Sequence, residues 1–186
     1  MTFDLDQFVA DCRAAIKQDA SPMAVREIVA RAVSDPAVVL KALGEPSRAE
    51  IQTLHRSDDL TVLNVLWAPW MTLPPHNHLM WAVIGIYTGR EDNIFWRRLS
   101  VGPANKVEAA GARALSAKDA VPLGRDIIHS VTNPIPRLTG ALHVYGGDFF
   151  GVQRSEWDPE KLLEQPSDGA KLARRFEEAN ARMLKT

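Results

Sequence analysis

The amino-acid sequence predicts a mainly β protein, an antiparallel sandwich or barrel with a layer of helices at its N-terminal end. Residues 1–48 carry apolar side chains at helical spacing. Residues 50–155 contain short runs rich in β-branched and aromatic residues, separated by Pro, Gly, Asn or Asp. Because no helical pattern lies between these runs, antiparallel pairing is favoured over an alternating α/β sheet.

Three helices are predicted in the N-terminal layer. The first lies within residues 3–18, and Cys12 falls on its apolar face, where we interpret it as a packing residue. The second helix begins with Ser21 as the N-cap and Pro22 at the first helical position. The third is short and is expected to end at Gly44, a C-terminal capping glycine.

The strands are predicted from five apolar runs in the middle of the chain. These runs are LTVLNVLWAP, MWAVIGIYTG, NIFWRRLSV, IIHSVTN and GALHVYGGDF. Residues 102–124 are weakly patterned and are expected to form a connection between strands. After the last run, a charged helix is predicted to start at Asp168 or Gly169.

The chain is expected to form a single domain over residues 1–186. Its parts are a helical layer in 1–48, a β-barrel in 50–155 and a C-terminal extension in 156–186. No internal repeat or low-complexity stretch divides it.

Composition excludes several classes of function. The formal net charge is -1 and the pI is about 6.5, so no basic surface indicates nucleic-acid binding. No apolar run approaches the roughly 20 residues that span a bilayer. The single Cys12 excludes an intrachain disulfide and a cysteine-based zinc site. We therefore expect a soluble cytoplasmic protein without nucleic-acid or membrane partners.

The histidines are arranged as metal ligands would be. His76 and His78 alternate in the stretch PPHNHLMWAVIGIYTG, so in a strand they share one face. His129 follows a Pro-x-Gly turn in VPLGRDIIHSVTNP and stands four residues before Asn133. Histidines kept for packing are the structural alternative.

These two stretches resemble the two motifs of the cupin superfamily. In the first motif, His-x-His is followed after three or four residues by a glutamate and, after six more residues, by a glycine. Here Gly89 is present at that spacing, but Ala82 occupies the glutamate position. The resemblance implies a cupin double-stranded β-helix, or jelly-roll barrel, with a short C-terminal helix after it. It also implies a metal ion held by His76, His78 and His129.

Three-histidine cupins include the thiol dioxygenases, typified by cysteine dioxygenase. Three neutral imidazoles leave more positive charge on the metal than a set with a carboxylate, which favours an anionic donor such as a thiolate. The stretch ALHVYGG resembles the Ser-x-His-x-Tyr pattern of these enzymes. The resemblance gives His143 and Tyr145 catalytic roles, with Tyr145 as the hydroxyl donor, while Ala141 replaces the serine.

The same resemblance implies Fe(II) as the cofactor, and a small thiol and O2 as the partners that become a sulfinate. Arg56 or Arg154 would bind the substrate carboxylate. Val83 stands where some cysteine dioxygenases have the cysteine that is cross-linked to the tyrosine, so no cross-link is expected. Glu91 is not assigned to the metal.

Two other functions stay open at this point. One is a metal-binding cupin that acts on a non-thiol substrate. The other is a non-catalytic cupin that senses or stores a small molecule. The sequence leaves the choice of thiol open, and also the oligomeric state, for which a homodimer is one arrangement.

Overall fold

The computed structural model describes residues 2–185, which contain four helices and eleven strands. The helices are α1 Leu5–Gln18, α2 Pro22–Val33, α3 Pro36–Leu43 and α4 Gly169–Met183. The strands are β1 Glu50–Arg56, β2 Thr61–Trp67, β3 Thr72–Asn77, β4 Ala82–Thr88, β5 Arg90–Arg98, β6 Val107–Ser116, β7 Ala120–Leu123, β8 Ile128–Thr132, β9 Thr139–Tyr145, β10 Ser155–Trp157 and β11 Glu164–Pro166.

The strands form two sheets in which all neighbouring strands are antiparallel. The five-stranded sheet has the order β1-β2-β9-β4-β7, and the six-stranded sheet has the order β11-β10-β3-β8-β5-β6. The chain passes repeatedly from one sheet to the other, so the two sheets enclose a common interior. This is the mainly β double-stranded β-helix of the cupin type that the sequence predicted.

The central strands of the five-stranded sheet, β2, β9 and β4, are buried on both faces, and their side chains alternate between two cores. In β2, Leu63 and Val65 point into the barrel, whereas Val62 and Leu66 point towards the N-terminal helices. Every residue of β2 and β9 is buried. This double burial explains why these strands have continuous apolar runs in the sequence.

The N-terminal helices cover the outer face of this sheet. Ser21 caps α2 through a hydrogen bond from the Met23 N–H, and α3 ends at Gly44 with a positive φ of 87°, both as predicted. Helix α2 packs closely because Gly85 has no side chain. A Cβ at Gly85 would lie 2.3 Å from Cγ1 of Val29.

The sequence had indicated that the segment 102–124 is a connection between strands. This prediction is wrong, because the segment contains β6 and β7. Strand β6 pairs with β5 along its length and forms the edge of the six-stranded sheet. Its middle residues are mostly small and exposed. An edge strand of this kind is formed by backbone pairing, so its side chains carry little hydrophobic alternation.

The C-terminal part of the chain completes the barrel. Strands β10 and β11 extend the six-stranded sheet, although the sequence had shown no strand pattern there. Helix α4 begins at Gly169, as predicted, and the Asp168 side chain accepts hydrogen bonds from N–H groups of its first turn. Phe176 of α4 stacks on Trp67 with 5.7 Å between ring centroids. Asn180 binds both backbone polar groups of Ala49.

In the described part of the chain, every helix is too short or too polar to cross a bilayer.

We predict that Val29→Ala will lower the free energy of unfolding by about 2 kcal/mol, because it removes two buried methyl groups from the contact between α2 and the sheet. The matched control is Met23→Ala on the same helix, where the side chain is 53% exposed and the change should stay within about 0.5 kcal/mol. Urea unfolding midpoints measure both. Equal effects of the two substitutions would contradict the packing described for α2.

Candidate metal centre

Two of the three predicted metal ligands meet because neighbouring strands bring them into register. His76 of β3 lies directly opposite His129 of β8. The register shifts between Leu73 and His76, where Pro74 and Pro75 offer no N–H groups for the ladder. The alternation had predicted that His76 and His78 share one face of a strand. His78 instead comes one residue after the end of β3, so the two do not share a regular strand face.

The three histidines nevertheless converge. One nitrogen from each of His76, His78 and His129 lies within 4.8 Å of the others. The Nε2 atoms of His78 and His129 are 3.3 Å apart. Two nitrogens bound to one ion at about 2.1 Å would be separated by about 3.0 to 3.4 Å, so this spacing fits a shared metal ion.

Hydrogen bonds orient two of these imidazoles. The Nδ1–H of His76 donates to the Pro74 carbonyl at 2.9 Å. The Nδ1 of His129 lies 2.7 Å from Oδ1 of Asn93. The Nδ2 of Asn93 donates to Glu91 at 3.0 Å, which leaves the Asn93 oxygen to accept from His129. In both histidines Nε2 therefore keeps its lone pair for a metal.

Burial keeps the cluster neutral. Desolvation lowers the pKa of His76 to about 4, although its hydrogen bond to Pro74 opposes the shift. Desolvation, together with the neighbouring histidines, also holds the pKa values of His78 and His129 well below the usual range. Neutral imidazole is the form that binds metals, so the residues present fit a divalent transition-metal ion.

His143 and Tyr145 lie beside this cluster, on the inward face of β9. Nδ1 of His143 is 3.1 Å from the Tyr145 hydroxyl. The Tyr145 ring meets His78 edge-on, with 5.0 Å between centroids. Burial raises the pKa of Tyr145 above its usual range, so its hydroxyl stays protonated.

Glu91 occupies a position that the sequence had not assigned to any role. Its side chain is fully buried in the barrel. The carboxylate accepts hydrogen bonds from Nε1 of Trp67 at 2.8 Å and from Asn93. Its Oε2 lies 3.4 Å from Nε2 of His143, which has no aligned hydrogen-bond partner among the described residues.

The two predicted substrate-binding arginines have different environments. Arg154 lines the cavity beside the histidines, with its guanidinium carbon 3.7 Å from the centre of the Phe149 ring. Within residues 2–185 it has no ion-pair partner, and burial lowers its pKa. Arg56 makes a bidentate bond to Asp148, with both contacts at 2.8 Å, and its side chain is 50% exposed. The structure therefore brings Arg154 into the site and leaves Arg56 outside the cavity lining.

The cavity that holds these groups is small, with a volume of about 60 Å³. Its apolar walls include Leu63, Val65 and Leu73, and Leu172 of α4 also lines it. Glu156, opposite His76 in register, is a buried carboxylate in its wall.

Glu156 is already neutralised by cations of α4. It binds Nζ of Lys171 at 2.8 Å and the guanidinium of Arg175 at 3.0 Å. Burial opposes ionisation of Glu156, but these hydrogen bonds outweigh it and hold its pKa below the ordinary value. Among the described residues that line it, the cavity thus has three neutral histidines, the unpaired cation of Arg154 and one carboxylate, Glu156, that is already bound.

The position of Cys12 agrees with the expectation that no thioether cross-link forms. Cys12 lies in α1, and Val83 lies on the outer face of β4, both in the core beneath the N-terminal helices. Tyr145 faces the opposite core, inside the barrel. Burial raises the pKa of the Cys12 thiol to about 12, so it stays protonated and unreactive.

Comparison with known proteins gives the following. No protein-family model matches the chain. A protein from Bacillus halodurans has a TM-score of 0.49 at 15% identity, over 58% of this chain and 77% of that one. An RmlC-like cupin family protein with a double-stranded β-helix from Methanocaldococcus jannaschii has a TM-score of 0.47 at 8% identity, over 58% and 88%. Oxalate decarboxylase from Bacillus subtilis, which has Mn(II) centres, has a TM-score of 0.39 at 14% identity, over 50% and 22%.

The fold and the site together define a class. The chain is a cupin-type double-stranded β-helix with a cluster of three histidines that could bind a metal ion. Any more specific function has to be argued from the residues of the site, because one fold supports many activities.

Sequence reasoning missed two members of the site, Glu91 and Asn93. They alternate at the start of β5 and both point inward. The only local signal was this spacing, directly after Gly89, within the otherwise charged stretch REDN. Charged stretches are usually solvated, so the pattern by itself favoured a surface position.

We predict that the purified protein will bind one divalent transition-metal ion per chain and that His129→Ala will lose most of it, because two imidazoles are a poor site for such an ion. The matched control is His55→Ala, since His55 lies in β1 and bonds to Ser57 away from the cluster. Elemental analysis after metal loading measures both variants. Full metal content in alanine variants of all three clustered histidines would contradict the assignment.

Proposed function

We propose that this protein is a mononuclear non-haem iron dioxygenase that adds both atoms of O2 to the sulfur of a small thiol, such as cysteine or 3-mercaptopropionate, and releases a sulfinate. The reaction needs no further reductant, because the electrons that O2 gains are those that the sulfur loses. A bound Fe(II) ion would supply open coordination positions and the oxygen chemistry.

The observation that carries this proposal is the donor set. Three neutral imidazoles converge, and no carboxylate belongs to the group within the described residues. Ala82, at the position of the family's glutamate, is fully buried and contributes only a methyl group. A dication held by neutral ligands keeps its charge and so favours an anionic ligand, as a thiolate is.

The second support is the cation in the cavity. Arg154 is held against Phe149 by a cation–π contact. Among residues 2–185, no carboxylate accepts a hydrogen bond from the N–H groups of its guanidinium. A guanidinium binds a carboxylate with two parallel hydrogen bonds. A thiol that also has a carboxylate could therefore reach the histidines with its sulfur and Arg154 with its other end.

The third support is the hydroxyl of Tyr145. It is protonated, buried and next to His78, and His143 holds its oxygen. A fixed hydroxyl in a desolvated cavity stabilises negative charge that develops on a neighbouring oxygen. Apolar side chains of the barrel and Leu172 of helix α4 form much of the wall around this place, and a site from which water is expelled strengthens such electrostatic interactions.

The proposal is tested by oxygen uptake. Protein loaded anaerobically with Fe(II) is mixed with O2 and with cysteine, 3-mercaptopropionate or cysteamine in turn, and products are identified by mass spectrometry. We expect one sulfinate per O2 consumed, with both oxygen atoms from labelled O2 in the product. The His129→Ala variant, which we expect to lose most of its metal, is the blank.

The other two functions are outcomes of the same experiment. Metal-loaded protein that consumes no O2 with any of the three thiols would overturn the proposal. Metal-dependent turnover of a non-thiol compound would then indicate a different cupin enzyme. Tight binding of a small molecule without turnover would indicate a sensor or storage protein.

We predict that Tyr145→Phe will fold and keep its metal but lose about ten- to a thousandfold in turnover, because it removes only the hydroxyl that stabilises charge on oxygen. The matched control is Tyr87→Phe. Tyr87 is also fully buried and donates to Asn64 at 2.8 Å, but on the helix-covered face of the sheet. Equal turnover of Tyr145→Phe and wild type would show that the hydroxyl has no catalytic role.

We predict that Arg154→Gln will lower kcat/KM for 3-mercaptopropionate by about ten- to a hundredfold, the size expected for one lost charge-assisted hydrogen-bond pair. Cysteamine has no carboxylate, so its kcat/KM should change little. Arg56→Gln is the matched control, since Arg56 is already bound to Asp148. An equal loss for both thiols, or a larger loss in Arg56→Gln, would rule out Arg154 as the carboxylate site.

A further inference from the structure

We propose that Glu91 is the positioning residue of this site: one buried carboxylate fixes His143, and through it Tyr145, and also fixes Asn93, and through it the metal ligand His129. Glu91 would thereby supply the support that Ala141 cannot give to His143. These two sets of contacts, from Glu91 to His143 and Tyr145 and from Glu91 to Asn93 and His129, are called the two arms. The catalytic consequence rests on the proposed function, whereas the geometry of the two arms does not.

The carboxylate has to be fully bonded where it lies. Glu91 is 0% exposed, and a buried carboxylate is tolerated only when donors surround it. Trp67 donates to Oε2 at 2.8 Å and Asn93 donates to Oε1 at 3.0 Å. Trp67 belongs to the five-stranded sheet and Asn93 to the six-stranded sheet. Glu91 therefore joins the two walls of the barrel.

The first arm leads to Tyr145. Nε2 of His143 is buried, and Glu91 Oε2, 3.4 Å away, is the acidic group that faces it. At this distance the contact is electrostatic rather than an aligned hydrogen bond. A carboxylate only accepts, so the favoured tautomer of His143 has its proton on Nε2. Nδ1 then has a lone pair, which accepts from the Tyr145 hydroxyl at 3.1 Å.

The second arm leads to the metal ligands. Because Glu91 binds the Nδ2 group of Asn93, the Asn93 oxygen has to face His129, and the Nδ1–H of His129 donates to it at 2.7 Å. This arrangement fixes the tautomer whose Nε2 is free to bind the metal. Loss of such an outer hydrogen bond typically weakens metal binding by about ten- to a hundredfold.

A glutamine at position 91 cannot serve both arms. Two N–H groups donate to Glu91, from Trp67 and Asn93, and the Nε2 of His143 lies 3.4 Å from it without an aligned hydrogen bond. A glutamine has one acceptor oxygen and one amide that donates. If the amide faces Asn93, then Asn93 turns over and presents a donor to His129. If the amide faces His143, the tautomer of His143 changes.

The experiment uses the full chain with Zn(II) as a diamagnetic probe. Long-range 1H–15N correlations of the histidine rings identify the tautomers, with signals assigned from single-histidine variants. In the wild type we expect His143 with its proton on Nε2 and His129 with its proton on Nδ1. The proton of His143 on Nδ1 in the wild type would overturn the proposal, whatever the variants do.

The variant is Glu91→Gln. We expect either a changed tautomer of His143 or at least a tenfold weaker Zn(II) affinity. The matched control is Asn64→Leu, which removes a buried polar group from the helix-covered face of β2. It should lower the unfolding midpoint but leave the tautomers and Zn(II) affinity unchanged. If Glu91→Gln lowers the midpoint and changes neither of the other readouts, Glu91 is structural only.

Turnover separates this proposal from the proposed function. If the Fe(II)-loaded wild type oxidises a thiol, Glu91→Gln should lower kcat. The double variant with Glu91→Gln and Tyr145→Phe should then lose less kcat than the two single losses combined. If the wild type oxidises no thiol, the proposed function fails. The tautomers and the Zn(II) affinity then still decide the role of Glu91.

Discussion

The structure depends on enclosure of the barrel interior between two antiparallel sheets. The five-stranded sheet is covered outside by the N-terminal helices, and its inner face packs against the six-stranded sheet. An interior closed in this way has a low dielectric response, so each polar group within it is destabilising unless it has a partner. The arrangement of the site follows from this constraint.

The polar groups of the interior meet the constraint in different ways. The clustered histidines do so by staying neutral, because burial holds their pKa values down. The carboxylates do so by pairing: Glu156 binds Lys171 and Arg175, and Glu91 binds Trp67 and Asn93. A metal ion bound by the histidines would therefore find no free carboxylate within the described cluster, and its charge would be left for a substrate to neutralise.

Arg154 is the exception, and this is why it matters for function. Its guanidinium has lost water through burial without gaining an acidic partner in the described chain. Contact with the face of Phe149 compensates only in part. Arg56 is the opposite case, since its charge is already satisfied by Asp148 at the surface. The residues next to Arg56 and Arg154 in the sequence do not separate them, but their environments in the structure do.

The sequence by itself determined the parts that depend on neighbouring residues. The two-sided burial of β2 and β9 was encoded in continuous apolar runs, and the start of α2 in Ser21 and Pro22. Motif spacing predicted the three histidines, which the structure brings together. The strands and the helix start are set by side chains close to one another along the chain, and each histidine was recognised from its own local motif.

Only the tertiary structure decided the rest. Strand β6 forms because its backbone pairs with β5. Its own small and exposed side chains give no pattern from which a strand could be predicted. Glu91 reaches His143 from the opposite sheet, and Asn93 reaches His129 from the adjacent strand. Contacts of this kind depend on strand register and on closure of the barrel. The sequence gives the identity of these residues, but the tertiary structure determines which of them are in contact.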